Sequence, residues 1–416
     1  MKMISAALAV ILLTAGIAGA DMANTNKTLS EAQSAVGALA FRAIAESNND
    51  GRDFIFSPYS VLTVLTMARE GAAGETRMEM DRALSLSDRT AGQLGAWSKT
   101  LKNRMDGFGP NPTFEEANRI WLEEDFRPRT EYLDLLWNSF GETTGAESLP
   151  MGKNPEGCLR RINGWTSAVT HGRIPVLLER LEPDTKMILT NAVWFEGRWT
   201  IPFDPGETRE EPFHVTPERT KNVSMMKRTG PTAIGNLDGT ELLALPYGDD
   251  ACMLVAMPPH GKMQELLASL AAETTQGDSG FVAPGTFHRW LDAIEMQDSV
   301  DLWLPKFELD NTMELKQLLG TLGIELAFSD DADFSLISEA EKLRIDKVVH
   351  KAFLKVDEKG SEAAAATAAT MLKCTALSAP KPPVVFHVDR PFLCFIVDRP
   401  YTEPGILFMG KIGFAN

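Results

Sequence analysis

The 416-residue chain is predicted to fold as an α+β protein around one large core, and three observations point there. Runs with helical spacing come early and strand-like runs come late, which is the segregated pattern rather than a repeating βαβ one. Hydrophobic residues make up 44% of the chain, enough to bury a sizeable core. Length alone would allow two or three domains, yet no Pro/Ser/Gly linker, internal repeat or low-complexity block divides the sequence.

The elements follow in order. Lys2, an apolar run over residues 4–17 and the small residues Ala18-Gly19-Ala20 read as a cleavable targeting segment of residues 1–20. The run is shorter than a spanning helix needs, so export to an extracellular or periplasmic space is expected rather than stable membrane association. Residues 28–47 carry helical spacing with Thr28 or Ser30 as cap; residues 58–69 form a second helix, with Ser57 as cap and Pro58 in its first position. Strands are expected over residues 188–195, 242–246, 252–257, 300–307, 345–356, 392–397 and 406–412. The Gly- and Pro-rich residues 276–286 read as a surface loop.

Composition excludes several functions. The formal charge is −16, and removal of Lys2 with the leader takes it to −17, which disfavours nucleic-acid binding. Gly277-Asp278-Ser279-Gly280 copies most of the surroundings of a chymotrypsin-like nucleophile, but Phe281 breaks the pattern and no Ala-Ala-His-Cys segment precedes it. No other nucleophile elbow, zinc-binding helix, paired Cys-x-x-Cys or phosphate loop occurs, and the six histidines are scattered, so neither catalysis, a metal site nor a cofactor is expected. Four cysteines are too few for a disulfide scaffold; Cys252 and Cys394 lie in apolar runs and read as small core residues. Asn26-Lys27-Thr28 and Asn222-Val223-Ser224 are glycosylation acceptors if the host supplies that chemistry.

The most informative stretch is residues 350–390, where a strand-like run and a charged turn lead into an alanine-rich tract. Helix propensity alone would make residues 361–371 helical. In an extended chain, however, Ser361, Ala363, Ala365, Thr367, Ala369 and Met371 share one small, uncharged face. That face suits sliding between two strands of an existing sheet, because no charge or bulky ring would be buried.

At these residues a family resemblance becomes plain: residues 358–367, Glu-Lys-Gly-Ser-Glu-Ala-Ala-Ala-Ala-Thr, resemble the hinge of an inhibitory serpin. Asp53-Phe-Ile-Phe-Ser57-Pro58-Tyr-Ser60, Leu189-Thr-Asn191-Ala-Val-Trp194-Phe195, Phe213-His214-Val215, Met225-Met226-Lys227-Arg228, Leu304-Pro305-Lys306-Phe307, Asp389-Arg390-Pro391-Phe392 and Ile406-Leu407-Phe408 resemble serpin motifs in serpin order. The likeness covers about residues 28–416. It implies a single domain over residues 21–416 with three β-sheets, about nine helices and an exposed reactive-centre loop at about residues 358–389. It also implies that Ser57, Ser60, Asn191 and His350 form the hydrogen-bonded cluster where the central sheet opens, with Trp194 at its top.

The function implied is suicide inhibition. A target protease attacks the loop to form an acyl-enzyme, and the freed loop, starting from its hinge (Glu358, Gly360, Ser361, Ala363, Ala365, Thr367), inserts into the central sheet. The partner is then a serine protease, with a cysteine protease as the alternative, and the inhibitor acts as a monomer. By family spacing the specificity residue is the seventeenth counted from Glu358, which places the bond at Cys374-Thr375 and suits an elastase-like or shallow chymotrypsin-like pocket. Lys373 offers a trypsin-like alternative, and Leu377-Ser378 a chymotrypsin-like one further on. Exposed Cys374 would be open to oxidation. Heparin is not expected, because residues 94–104 offer only Lys99, Lys102 and Arg104. Two positions depart from the family: Asp53, where most members carry Asn, introduces a charge near the expected opening region, and Ser361 replaces the commoner Thr. A noninhibitory member acting as a binding or storage protein is the alternative function.

Overall fold

A computed structural model describes residues 53–84, 86, 95, 113–141, 144–248, 251–273, 285–339, 343–361, 382–398 and 405–414. The targeting segment, the expected helix at 28–47, the Gly277–Gly280 tetrapeptide, the region 94–104 apart from Gly95, and residues 362–381 with Ala363, Ala365, Thr367, Lys373, Cys374 and Thr375 lie outside the described residues.

The first elements are β1 (Phe54–Phe56) and α1 (Pro58–Gly71). Ser57 caps α1 by accepting from the Ser60 amide, and Pro58 fills the first position, where its missing N–H costs nothing. Every residue of α1 is buried, because the helix runs through the core between both sheets. Next come α2 (Gly74–Leu84), β2 (Thr113–Glu123), α3 (Thr130–Phe140), β3 (Ala146–Leu149) and α4 (Pro155–Val169). Asn154 caps α4 by accepting from the Gly157 amide at 3.1 Å, again ahead of a proline. The strands follow: β4 (Met187–Arg198), β5 (Arg209–Thr216), β6 (Arg219–Leu237), β7 (Thr240–Tyr247) and β8 (Ala251–Met257). After α5 (Met263–Glu273) and α6 (Gly285–Asp292) come β9 (Ile294–Pro305), β10 (Phe307–Glu314), α7 (Lys316–Thr321), β11 (Lys347–Asp357) and β12 (Gly360–Ser361). The chain closes with β13 (Val384–His387), β14 (Phe392–Asp398) and β15 (Gly405–Ile412).

Hydrogen bonds join these strands into two sheets rather than the three expected. A nine-stranded sheet runs β1-β15-β14-β8-β7-β6-β9-β13 with β5 on β6, and a six-stranded sheet runs β10-β11-β12-β4-β2-β3. Two of the expected sheets are continuous because β6 and β9 stay paired from Met225↔Pro305 to Gly235↔Ile294. The join is a register shift between Gly230 and Thr232, with Pro231 where a ladder donor is dispensable. Seven α-helices lie among the described residues, against about nine expected for the whole chain. Gly285 and Thr286, expected to end a loop, open α6 instead.

The main core fills the space between the sheets. Strands β8, β14 and β15 are buried at every position, since α6 covers their far side with Phe287 and Trp290 against Phe395. Cys252 and Cys394 are buried free thiols there, as the sequence suggests, and burial pushes both up to about 12. A second, smaller core lies on the outer face of the six-stranded sheet, where Ile162 and Trp165 of α4 and Ile174 beyond it cover Trp121, Ile188, Ala192 and Val349.

Candidate functional site: the seam of the six-stranded sheet

Strands β4 and β11 pair directly in parallel from Ile188↔Lys347 to Trp194↔Phe353. Beyond that point they separate, and β12 fills the gap, with Ser361 opposite Gly197 on one side and Val356 on the other. Only glycine fits at 360: its φ is +148°, and a Cβ there would lie 1.9 Å from the Gly197 carbonyl oxygen. Ser361 is fully buried, and its hydroxyl lies 2.6 Å from the Tyr247 hydroxyl. Tyr247 in turn stacks on Trp199 at 4.4 Å.

The turn ahead of β12 is held by name. Trp199 donates its amide to the Lys359 carbonyl and its indole N–H to that of Asp357, each at 2.9 Å. The Glu358 carboxylate accepts from Lys306 Nζ at 2.9 Å and Thr208 Oγ1 at 2.8 Å. Burial pushes the Glu358 carboxyl up, but those hydrogen bonds outweigh it and leave the group below its ordinary value.

Further down the seam a polar row crosses three strands, because Asn118 of β2, Asn191 of β4 and His350 of β11 occupy directly opposed positions. The Ser57 amide donates to His350 Nε2 at 3.1 Å, so the ring proton sits on Nδ1 and donates to Asn191 Oδ1. Burial pulls His350 down to about 3, so the ring is neutral. Asn191 Nδ2 donates to the Ser60 carbonyl at 3.1 Å and contacts Ser60 Oγ and Asn118 Oδ1. Ser57 Oγ donates to the Leu407 carbonyl at 2.6 Å, and Ser60 Oγ to Glu116 at 3.0 Å. One cluster thus ties the central helix, both strands of the seam and the second sheet together.

Trp194 sits between the two groups, at the last direct β4–β11 pair. It is 3% exposed, its indole N–H has no partner among the described residues, and the Arg173 guanidinium lies 3.9 Å from its ring centroid. Arg173 also pairs with Glu196 at 3.0 Å. Over the outer face, α4 is pinned to the sheet by Glu147, which pairs with Arg161 of α4 at 2.8 Å and Arg119 of β2 at 3.0 Å.

The structure thus brings Ser57, Ser60, Asn191 and His350 into one cluster and puts Glu358, Gly360 and Ser361 at the head of the seam. Sequence reasoning missed Asn118, Glu116 and Tyr247; an Asn amid the apolar positions of Phe114, Ala117, Ile120 and Trp121 was the available signal for the first. Asp53 is a correction. It faces the C-terminal backbone rather than the seam, accepting from the amides of Gly413 at 2.7 Å and Phe414 at 3.0 Å. Burial raises its carboxyl above the ordinary value, although both amides pull the other way. No group of three or more metal-ligating side chains occurs among the described residues, and none of their helices is long and apolar enough to cross a membrane.

The family profile described as Serpin (serine protease inhibitor) matches residues 31–413. The chain is a serpin. A serpin-like protein of Thermococcus kodakarensis is 35% identical over 91% of this chain and 84% of its own length. Leukocyte elastase inhibitor of Sus scrofa is 32% identical over 89% of this chain and 95% of its own. Human thyroxine-binding globulin, solved in complex with thyroxine, superposes with a TM-score of 0.79 at 25% identity, covering 93% of this chain and 99% of that one. Serpins as a family are protease inhibitors rather than enzymes, and members typically bind serine proteases.

Proposed function

We propose that this serpin is an exported, monomeric inhibitor, with residues 21–416 as one domain, that traps a serine protease as an acyl-enzyme. The observation that carries this reading is β12, already seated between β4 and β11. Extending its antiparallel register into residues 362–371 puts Ala363 level with Phe195 and Leu354, Ala365 with Val193 and Ala352, and Ala369 with Leu189 and Val348. All of these face the main core, where small side chains enter without displacing packed rings. Thr367, the polar member of that run, comes level with Asn191 and His350, whose mutual hydrogen bond must break when the strands part. Its hydroxyl can then donate and accept there, so the inserted strand leaves neither group orphaned.

The chemistry begins at the loop. The protease serine adds to the carbonyl carbon of Cys374, the Cys374–Thr375 bond breaks with protonation of the Thr375 nitrogen, and an ester to Cys374 remains. Insertion before hydrolysis of that ester carries the tethered protease down the seam. A small specificity residue suits an elastase-like or shallow chymotrypsin-like pocket, and likeness to an elastase inhibitor supports it; Lys373 is the trypsin-like alternative. A second reading, a binding protein, draws on the likeness to thyroxine-binding globulin.

The test is incubation with an elastase, followed by mass spectrometry of the released C-terminal fragment and a denaturing gel. A fragment starting at Thr375 with a denaturant-resistant complex is expected. Cleavage without a complex, by elastase and by trypsin-like proteases alike, would sink the inhibitory reading and favour the binding protein. Peroxide treatment that oxidises Cys374 should slow inhibition, and Cys374→Ala should be insensitive to it.

A further inference from the structure

Away from the seam, at the base of the nine-stranded sheet, a cavity of about 310 Å³ opens where β5 and its turn meet the start of α5 and the end of β15. We propose that this cavity binds a small organic carboxylate with a hydrophobic body. Its volume falls at the small end of the range of ligand sites. Arg219, Arg390, Lys411, His214 and His260 line it, and no carboxylate does. Such a lining stands out in a chain whose net charge is −16.

Three carboxylates stand behind this lining without entering it. Asp53 accepts from the Gly413 and Phe414 amides, while Glu241 and Asp389 are held by Arg390. Arg390 is also fixed by donating Nε to the Pro258 carbonyl at 2.9 Å, so its guanidinium is positioned before any ligand arrives. The His214 and His260 rings meet edge to face, with centroids 5.2 Å apart, and form a second polar corner. Between these corners the wall is apolar and stiff: Val215, Pro217, Pro258, Pro259, Met263 and Pro391. Four prolines in that wall limit collapse of the empty cavity. Met263 and Gln264 open the eleven-residue helix α5, whose dipole adds to the attraction for an anion. Cations at the corners with an apolar wall between them select an amphiphilic anion over either a bare anion or a neutral hydrocarbon.

Calorimetric titration of the full chain with decanoate, decanol and inorganic phosphate tests this. Decanoate should bind with one site per chain and more tightly than either control. Arg219→Glu, at an exposed position, should weaken decanoate by about tenfold or more, the scale of a lost charge-assisted hydrogen bond. The same variant should leave decanol unchanged, and its thermal unfolding should match the parent's. The proposal is overturned if decanoate shows no saturable binding, if decanol binds equally well, if phosphate alone binds as tightly, or if Arg219→Glu leaves decanoate affinity unaltered.

Discussion

At the scale of single residues, His350 and Gly360 carry the heaviest constraints. His350 is buried and neutral, with its titration pulled from the ordinary 6.5 down to about 3. Between those values the unfolded chain holds a proton that the folded one refuses, so stability is complete above the unfolded value and falls as pH drops below it. The slope approaches about 1.4 kcal/mol per pH unit for one such group. Urea unfolding of the parent between about pH 7 and pH 5 should therefore show a loss that His350→Gln largely removes. Equal slopes in the two proteins would mean that His350 does not resist protonation. At Gly360 the clash is with backbone on β4, which has nowhere to move, so Gly360→Ala should cost on the order of 1–3 kcal/mol in the β12 position. The expected result is a severalfold rise in the number of inhibitor molecules consumed per protease trapped; an unchanged ratio would show that β12 does not need this seat.

At the scale of elements, α4 lies across the outer face of the seam, over Ile188 and Ala192 of β4 and Val349 of β11. Any strand entering between β4 and β11 has to displace that cover. The Arg161–Glu147 pair is half-exposed, so Arg161→Ala should cost under about 1 kcal/mol of stability. It should nevertheless speed formation of the stable complex, measured under fixed protease excess, because the same pair is broken on the way. A rate no faster than the parent's would remove α4 from the list of barriers. The elements most legible in the sequence were those with one dominant physical cause. Helix α1 was announced by its Ser-Pro cap, and β8, β14 and β15 by unbroken apolar runs that reflect burial on both faces. Strands β5 and β6 were invisible as strands, because their exposed faces carry residues such as Arg219, Lys221 and Asn222, and helix α2 was hidden by its charge. In the seam, the places of Glu358, Gly360 and Ser361 and of the Ser57, Ser60, Asn191 and His350 group follow from motifs in the sequence, whereas Asn118 needs the β2–β4 register to find its place. Sequence position places the Asp53 charge near the seam, and the chain instead turns it toward the C-terminal amides.

At the scale of the whole molecule, a six-stranded sheet with a two-residue strand at its centre holds an unfinished place. Filling that place with residues 362–371 would add ladder hydrogen bonds to both β4 and β11 and bury a further row of side chains. Cleavage within residues 362–381 should accordingly raise the thermal midpoint by more than about 10 °C, which corresponds to several kcal/mol for a chain of this size. A midpoint that stays put or falls would mean that the intact protein is already in its most stable arrangement. Trp194 lies at the mouth of that place, its ring under a guanidinium and its indole N–H without a hydrogen-bond partner among the described residues. A chain advancing between Trp194 and Phe353 must change both surroundings at once. The emission of this single indole, isolated by replacing the other seven tryptophans with phenylalanine, would then report the passage of the loop in real time without any attached dye.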